Sequence, residues 1–160
     1  MDKVKILFVC MGNICRSPAA EGIMKSLITR EGLNEKIEVD SAGTIPYHSG
    51  ELPDPRMRRH AALRGYNLES RARHFDQGID FDKFDYIIAM DEANYSYLQS
   101  FNKGEYSGKL FKLSRFAGQV KFEDVPDPYY SGAQGFEKVL DLLEDACGGL
   151  LENIKNEYRL

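Results

Sequence analysis

Two cysteines, an arginine and a serine stand within the stretch CMGNICRS, Cys10 to Ser17. A cysteine thiolate is a strong nucleophile, and an arginine guanidinium presents a planar fork of donors that matches the oxygens of a phosphate. Gly12 relieves the steric limits on a tight turn, so backbone N–H groups can gather on one side, as they do in anion-binding loops. This stretch, called the cysteine loop below, predicts nucleophilic attack on a bound phosphate group.

The chemistry of the cysteine loop divides among three of its side chains. Cys10 opens the loop, and the positive end of a following helix stabilises its thiolate form. Arg16 can hold two phosphate oxygens, and Ser17 can donate a hydrogen bond to the sulfur when it becomes a leaving group. The pattern C-x-G-N-x-C-R-S-P lacks the lysine of the G-x-x-x-x-G-K-[ST] nucleotide-binding loop. It favours a phosphocysteine intermediate instead.

Two PDP tripeptides each offer a carboxylic acid that could protonate the leaving group. Asp54 precedes Pro55 and a helical pattern, which is typical of a helix cap. Asp127 lies in a long loop, residues 115–135, with no helix directly behind it, and long loops in compact domains are often functional. We therefore expect Asp127 to be the acid and Asp54 to be structural.

Composition and charge indicate one globular domain, residues 1–160. The net charge of −4 argues against a nucleic-acid binder, and no apolar run is long enough to span a membrane. No small-residue cleavage site follows the apolar start of the chain, so we expect a buried strand in a cytoplasmic protein. The 3 cysteines are a poor disulfide framework, and the 3 scattered histidines show no metal-ligand spacing with a cysteine. We expect neither a metal nor another cofactor.

Strand and helix patterns alternate along the chain. Residues 4–10 are apolar except for Lys5, which is typical of a central parallel strand, and apolar residues at helical spacing follow from Pro18. Further strands are predicted within residues 36–43, 84–91 and 108–114. Together they predict an α/β fold, a doubly wound sheet of four parallel strands with helices on both faces. Such sheets bind ligands at the carboxyl ends of their strands, where the cysteine loop begins.

Six motifs of the chain resemble, in the same order, those of the low-molecular-weight protein tyrosine phosphatases. They are VCMGNICRSPAAEG, VDSAGT, PDPR, RAR, FDYIIAMDEAN and VPDPYYSG, and they extend over nearly the whole chain. The resemblance implies hydrolysis of phosphotyrosine in proteins or peptides, and inhibition by phosphate-like anions. It makes Cys10 the nucleophile, Arg16 the phosphate clamp, Ser17 the partner of the thiolate and Asp127 the acid.

The resemblance also assigns supporting and protective residues. Asn13 is expected to hold the loop together with Ser41, and Cys15 to capture oxidised Cys10 as a disulfide, although Cys15 could also be a small packed residue. Ser70 departs from the family pattern, because many members have a histidine there that supports the loop asparagine. The residues expected to contact the substrate are Met11, Gly12, Asn13, Ile14, Cys15, Tyr47, Tyr129 and Tyr130, with the tyrosines forming aromatic walls.

Three other functions are possible on the same fold. An arsenate reductase would need further cysteines, and only Cys147 remains, on the apolar stripe of the last helix. Phosphoarginine phosphatases tend to carry a small polar residue where this loop has Ile14. A phosphate-binding module without catalysis would not need Cys10, Arg16 and Asp127 together.

Two charged segments are interpreted as solvent-exposed. RMRRH, residues 56–60, is expected on a helix face, where it could attract acidic phosphoproteins to a cleft rim. DQGIDFDKFD, residues 76–85, lacks the spacing of a calcium loop and is expected at the surface.

Overall fold

Four parallel strands form one sheet in the order β2-β1-β3-β4. The computed structural model describes residues 2–101 and 104–160. The strands are β1 (Val4–Cys10), β2 (Ile37–Gly43), β3 (Tyr86–Ala89) and β4 (Leu110–Lys112). The helices are α1 (Arg16–Arg30), α2 (Pro55–Leu63), α3 (Asp80–Lys83), α4 (Glu92–Gln99) and α5 (Ala133–Tyr158), with a 3₁₀ turn at Leu113–Phe116. The predicted doubly wound α/β fold is confirmed.

The central strand β1 is buried on both of its faces. Ile6 and Phe8 point into a core that α1 and α5 cover, while Leu7 and Val9 point into a second core on the opposite face. Because side chains alternate across a strand, an apolar run can fill two cores at once. The second core includes Phe81 of α3 and Leu98 of α4, so the sheet has helices on both faces.

The helix α1 begins at Arg16 rather than at the predicted Pro18. Arg16 and Ser17 therefore lie in the first turn of the helix, where the backbone holds both side chains at the carboxyl end of β1. The predicted apolar stripe of α5 is also confirmed, and Cys147 lies within it as a core residue.

The prediction that residues 76–85 lie at the surface was wrong for Asp80, Phe81 and Phe84. Asp80 is only 2% exposed, and Phe81 and Phe84 pack in the second core. The carboxylate of Asp80 accepts hydrogen bonds from the Arg73 guanidinium at 2.9 Å and from the backbone N–H of Asp76 at 2.8 Å. A buried carboxylate is tolerated when such charge-assisted bonds replace its water.

The cysteine loop connects the carboxyl end of β1 to α1, as predicted. Within the described residues, every helix is too short or too polar to cross a membrane. The segment 56–60 is exposed at Arg58 and Arg59, but Met57 turns into the core.

Candidate active site

The cysteine loop forms one side of a cleft of about 290 Å³. Two other segments complete it, residues 45–48 after β2 and the stretch Asp127–Tyr130, called the DPYY loop below. Asn13 is the one predicted contact residue that does not line the cleft. The lining residues are Cys10, Met11, Gly12, Ile14, Cys15, Arg16, Ile45, Tyr47, His48, Asp127, Tyr129 and Tyr130.

Three carbonyl groups of the cysteine loop accept hydrogen bonds from backbone N–H groups of the chain that follows β2. In a trans peptide, the C=O of one residue and the N–H of the next point in opposite directions. The N–H groups of Met11, Gly12 and Cys15 therefore point away from the residues that bond to the preceding carbonyls. The three bonds run from the Thr44 N–H to Cys10 O (2.9 Å), from the Ile45 N–H to Met11 O (3.1 Å) and from the Asp54 N–H to Ile14 O (2.8 Å).

Cys10 and Ser17 are joined by a hydrogen bond between their side chains. Cys10 Sγ lies 2.9 Å from Ser17 Oγ, and both residues are buried. The N-terminal end of α1 lies next to this pair, and the side chain of its N-cap residue, Cys15, does not bond to the first-turn N–H groups. Those N–H groups and the helix dipole favour negative charge at this point.

Two hydrogen bonds orient the guanidinium of Arg16, which lines the cleft. Its Nη1 donates to Asp91 Oδ2 at 2.6 Å and to the carbonyl of Val125 at 3.0 Å. Burial opposes the charge of Arg16, but the Cys10 thiolate and the Asp91 carboxylate outweigh it and raise the pKa of Arg16 above its ordinary value. The sequence analysis missed Asp91, although its position just after β3 places it at the same sheet edge as the cysteine loop.

The two PDP aspartates lie in different environments. Asp127 lines the cleft with its side chain 42% exposed, 3.7 Å from Arg16 Nη2, and its Oδ1 accepts the N–H of Tyr129 at 3.1 Å. Asp54 is buried at the start of α2, where Oδ1 accepts the N–H of Arg56 at 2.8 Å. The expectation that Asp54 caps a helix is confirmed.

Asn13, not Gly12, is the residue that takes a left-handed backbone conformation in the loop, with φ 57°. At Gly12 a Cβ would lie 3.1 Å from the ring of His48, so a larger residue there would need that ring to shift. The Asn13 amide turns away from the cleft. Its Oδ1 accepts the backbone N–H of Arg73 at 2.9 Å, and its Nδ2 donates to Ser17 Oγ at 2.8 Å and to Ser41 Oγ at 3.0 Å.

Aromatic rings from two segments of the chain line the cleft. In the DPYY loop, Tyr130 meets Tyr129 edge-on, and the guanidinium of Arg56 lies 5.2 Å from the centre of the Tyr129 ring. In residues 45–48, Tyr47 packs edge-on against His48 with ring centres 4.7 Å apart. His48 lines the cleft but was not predicted as a cleft residue, because nothing in its local sequence pattern marks it.

Cys15 is a buried thiol beside the cleft. Burial raises its pKa above the ordinary value, and the negative charges of Asp54, Cys10 and Asp127 raise it further. Cys15 therefore stays a protonated thiol, whereas Cys10 is the candidate thiolate. Among residues 2–101 and 104–160, histidine, cysteine, aspartate and glutamate side chains form no cluster that could hold a metal ion.

Comparisons with known proteins agree with this geometry. The family model described as low molecular weight phosphotyrosine protein phosphatase matches residues 5–160. A relative from Synechocystis sp. is 50% identical over 155 residues, 96% of this chain and 98% of the relative, and its name includes the words low molecular weight protein-tyrosine-phosphatase.

Two solved structures extend the comparison. A protein tyrosine phosphatase from Entamoeba histolytica, crystallised with Hepes in the active site, is 48% identical with a TM-score of 0.92, covering 99% of this chain and 100% of that one. A Drosophila protein described as an arginine phosphatase is 32% identical with a TM-score of 0.87, covering 95% of this chain and 98% of that one. The family match spans nearly the whole chain, so this protein belongs to the low molecular weight protein-tyrosine-phosphatase family.

Proposed function

We propose that this chain hydrolyses phosphotyrosine in proteins or peptides, with Cys10 as the nucleophile. One observation carries the proposal: Cys10 and Arg16 of the cysteine loop and Asp127 of the distant DPYY loop line the same cleft. A nucleophile, an anion clamp and an acid are the groups that phosphate ester hydrolysis requires.

The first step is attack of the Cys10 thiolate on phosphorus. The P–S bond forms as the P–O bond to the phenol breaks, and Asp127 gives its proton to the departing phenolate oxygen. Meanwhile, the N–H groups of the cysteine loop and the guanidinium of Arg16 bind the equatorial oxygens, over which the transition-state charge is spread. The products of this step are tyrosine and phosphocysteine.

The second step is hydrolysis of phosphocysteine by water. Asp127, now ionised, takes a proton from the attacking water, so the acid of the first step becomes the base of the second. As the P–S bond breaks, its electron pair returns to Cys10, where Ser17 stabilises the thiolate at a distance of 2.9 Å. Inorganic phosphate is released and the enzyme returns to its starting state.

The walls of the cleft support a preference for an aromatic ester. Tyr129 and Tyr47 line the cleft from two separate segments, and stacked or edge-on rings hold a flat phenyl group. A phosphoserine ester is shorter by the length of a ring, so its phosphorus reaches Cys10 less readily. Phosphate-like anions should occupy the same floor, and Hepes in the active site of the Entamoeba protein, an anionic sulfonate, is consistent with this.

The alternatives have weaker support in this chain. Ile14 presents an apolar side chain to the cleft and offers no hydrogen bond to a phosphoarginine guanidinium. Arsenate reduction needs a further thiol that can receive a disulfide, and Cys147 is completely buried on α5.

A mechanism that needs reduced Cys10 also fits the cytoplasm, which keeps thiols reduced.

Turnover of three phosphopeptides tests the proposal. Phosphotyrosine, phosphoserine and phosphoarginine peptides are compared side by side, with arsenate reduction as a fourth assay. We expect kcat/KM to be highest for phosphotyrosine, and Cys10→Ser to lose turnover. The melting temperature of Cys10→Ser should still rise with inorganic phosphate, because a ligand that binds only the native state stabilises it. Comparable activity on phosphoserine, or turnover by Cys10→Ser, would refute the proposal.

A further inference from the structure

A chain of hydrogen bonds connects the sulfur of Cys10 to the carboxylate of Glu21, a residue on α1 that does not line the cleft. The chain runs through Ser17, Asn13 and Ser41, all buried. Glu21 is itself only 3% exposed, which is unusual for a glutamate. It is called the Glu21 relay below.

The direction of every bond in the Glu21 relay follows from the backbone N–H of Arg73. That group can only donate, so the atom of the Asn13 amide facing it, 2.9 Å away, is the oxygen. The amide nitrogen of Asn13 must then face Ser17 and Ser41, and it donates one proton to each hydroxyl. Each serine, having accepted, has its own proton left to donate.

The hydroxyl protons of Ser41 and Ser17 have one acceptor each. Ser41 donates to Glu21 Oε1 at 2.6 Å, and Ser17 is left to donate to Cys10 Sγ at 2.9 Å. An ionised carboxylate only accepts, so Glu21 prevents Ser41 from turning its proton elsewhere. The second oxygen of Glu21 accepts a hydrogen bond at 2.6 Å from Nζ of Lys25, whose side chain is exposed.

We propose that Glu21 is a positioning residue for the Cys10 thiolate, acting through the Glu21 relay. By holding Ser41 as an acceptor, it fixes the Asn13 amide, and the fixed amide obliges Ser17 to donate to the sulfur. A hydrogen bond donated to an ionised sulfur stabilises the thiolate as nucleophile and as leaving group. The inference rests on the proposed role of Cys10, and it gives the buried carboxylate a function beyond packing.

The test measures the thiolate without any substrate. Iodoacetamide alkylates thiolates, and mass spectrometry of the Cys10 peptide gives the alkylation rate from pH 4 to pH 9. In Glu21→Ala we expect the half-maximal pH to rise by about one unit, because the donor to the sulfur is no longer oriented. We also expect kcat to fall about tenfold, with a smaller change in KM.

Matched variants separate positioning from packing. Glu21→Gln keeps an acceptor oxygen for Ser41 and should recover most of the wild-type kcat and alkylation profile. Lys25→Met removes the partner of the other carboxylate oxygen and should behave as the wild type. Ser41→Ala breaks the relay at its next member and should shift the profile as Glu21→Ala does, with little added effect in the double variant.

The outcomes distinguish a failure of the Glu21 relay from a failure of the proposed function. A wild-type alkylation profile in folded Glu21→Ala or in Ser41→Ala would overturn the relay. Additive shifts in the double variant, or a Glu21→Gln profile as altered as that of Glu21→Ala, would also overturn it. If the alkylation shift appears but the wild type does not hydrolyse phosphotyrosine, the proposed function fails while the relay stands.

Discussion

The carboxylate of Asp127 and the guanidinium of Arg16 lie 3.7 Å apart, so the candidate acid stands directly beside the candidate phosphate clamp. A phosphate ester held by Arg16 would therefore place its bridging oxygen close to Asp127. Asp127 can be replaced without disturbing the core, because its side chain is half-exposed on a loop.

Asp127→Asn removes the transferable proton while keeping the shape of the side chain. We expect kcat for a phosphotyrosine peptide to fall roughly 10²–10⁴-fold. For p-nitrophenyl phosphate the loss should be much smaller, because its leaving group departs without a proton. Steady-state kinetics on both substrates measures the difference, and equal losses on the two would argue against proton donation by Asp127.

Asp54→Ala should affect stability rather than catalysis. Burial opposes the charge of Asp54, but hydrogen bonds from Arg56 outweigh it and lower the pKa of Asp54 below its ordinary value. We expect the free energy of unfolding at pH 7 to fall by about 1 kcal/mol, the usual contribution of an N-cap.

The pH dependence of this loss has a definite sign. A carboxylate whose pKa is lower in the folded state stabilises it at pH values above the unfolded pKa, and this contribution disappears as pH falls through the folded pKa. The gap between wild type and Asp54→Ala should therefore narrow below about pH 4. Urea titrations at pH 7 and pH 3 measure it, and a gap that widens in acid would contradict this account.

Asp91→Asn should weaken the orientation of Arg16. Asp91 both bonds to Arg16 Nη1 at 2.6 Å and caps α4 by accepting the N–H of Asn94. Asparagine is as good an N-cap as aspartate, so this change preserves the cap and removes the charge. We expect inhibition by inorganic phosphate to weaken roughly tenfold, as for one charge-assisted bond. Unchanged inhibition would show that Arg16 does not depend on Asp91.

Tyr129→Ala removes an aromatic ring that lines the cleft and packs against the guanidinium of Arg56. We expect kcat/KM for phosphotyrosine peptides to fall about tenfold, in line with the loss of a ring contact. Inhibition by inorganic phosphate should stay nearly unchanged, because phosphate has no ring. Comparable losses in both measurements would mean that Tyr129 supports the floor of the cleft rather than its wall.

Mild peroxide should inactivate the enzyme reversibly through a disulfide between Cys10 and Cys15. The thiolate of Cys10 is oxidised first to a sulfenic acid, and the Cys15 thiol then displaces water to form the S–S bond. In Cys15→Ser, recovery of activity with dithiothreitol should be much lower, since Cys10 proceeds to sulfinic acid. Peptide mapping checks the pairing, and a bond between Cys10 and Cys147, or equal recovery in both proteins, would refute the prediction.

Local sequence was sufficient for the elements and for the candidate chemistry. The apolar run of β1, the stripe of α5 and the cap at Asp54 each depend on residues close together in the chain, so their patterns predict them directly. The cysteine loop belongs to the same class, because its residues lie consecutively between a strand and a helix. Its composition alone indicated attack on phosphorus.

Tertiary structure decided how those residues are held. The bond from Arg16 to Asp91, the placement of Asp127 beside Arg16 and the Glu21 relay all join residues far apart in sequence. The burial of Asp80 also depends on the folded chain, because Arg73, seven residues earlier and outside α3, supplies the guanidinium that pairs with it. A sequence pattern shows which side chain could donate or accept, but only the folded chain brings the partner within hydrogen-bonding distance and excludes the water that would replace it.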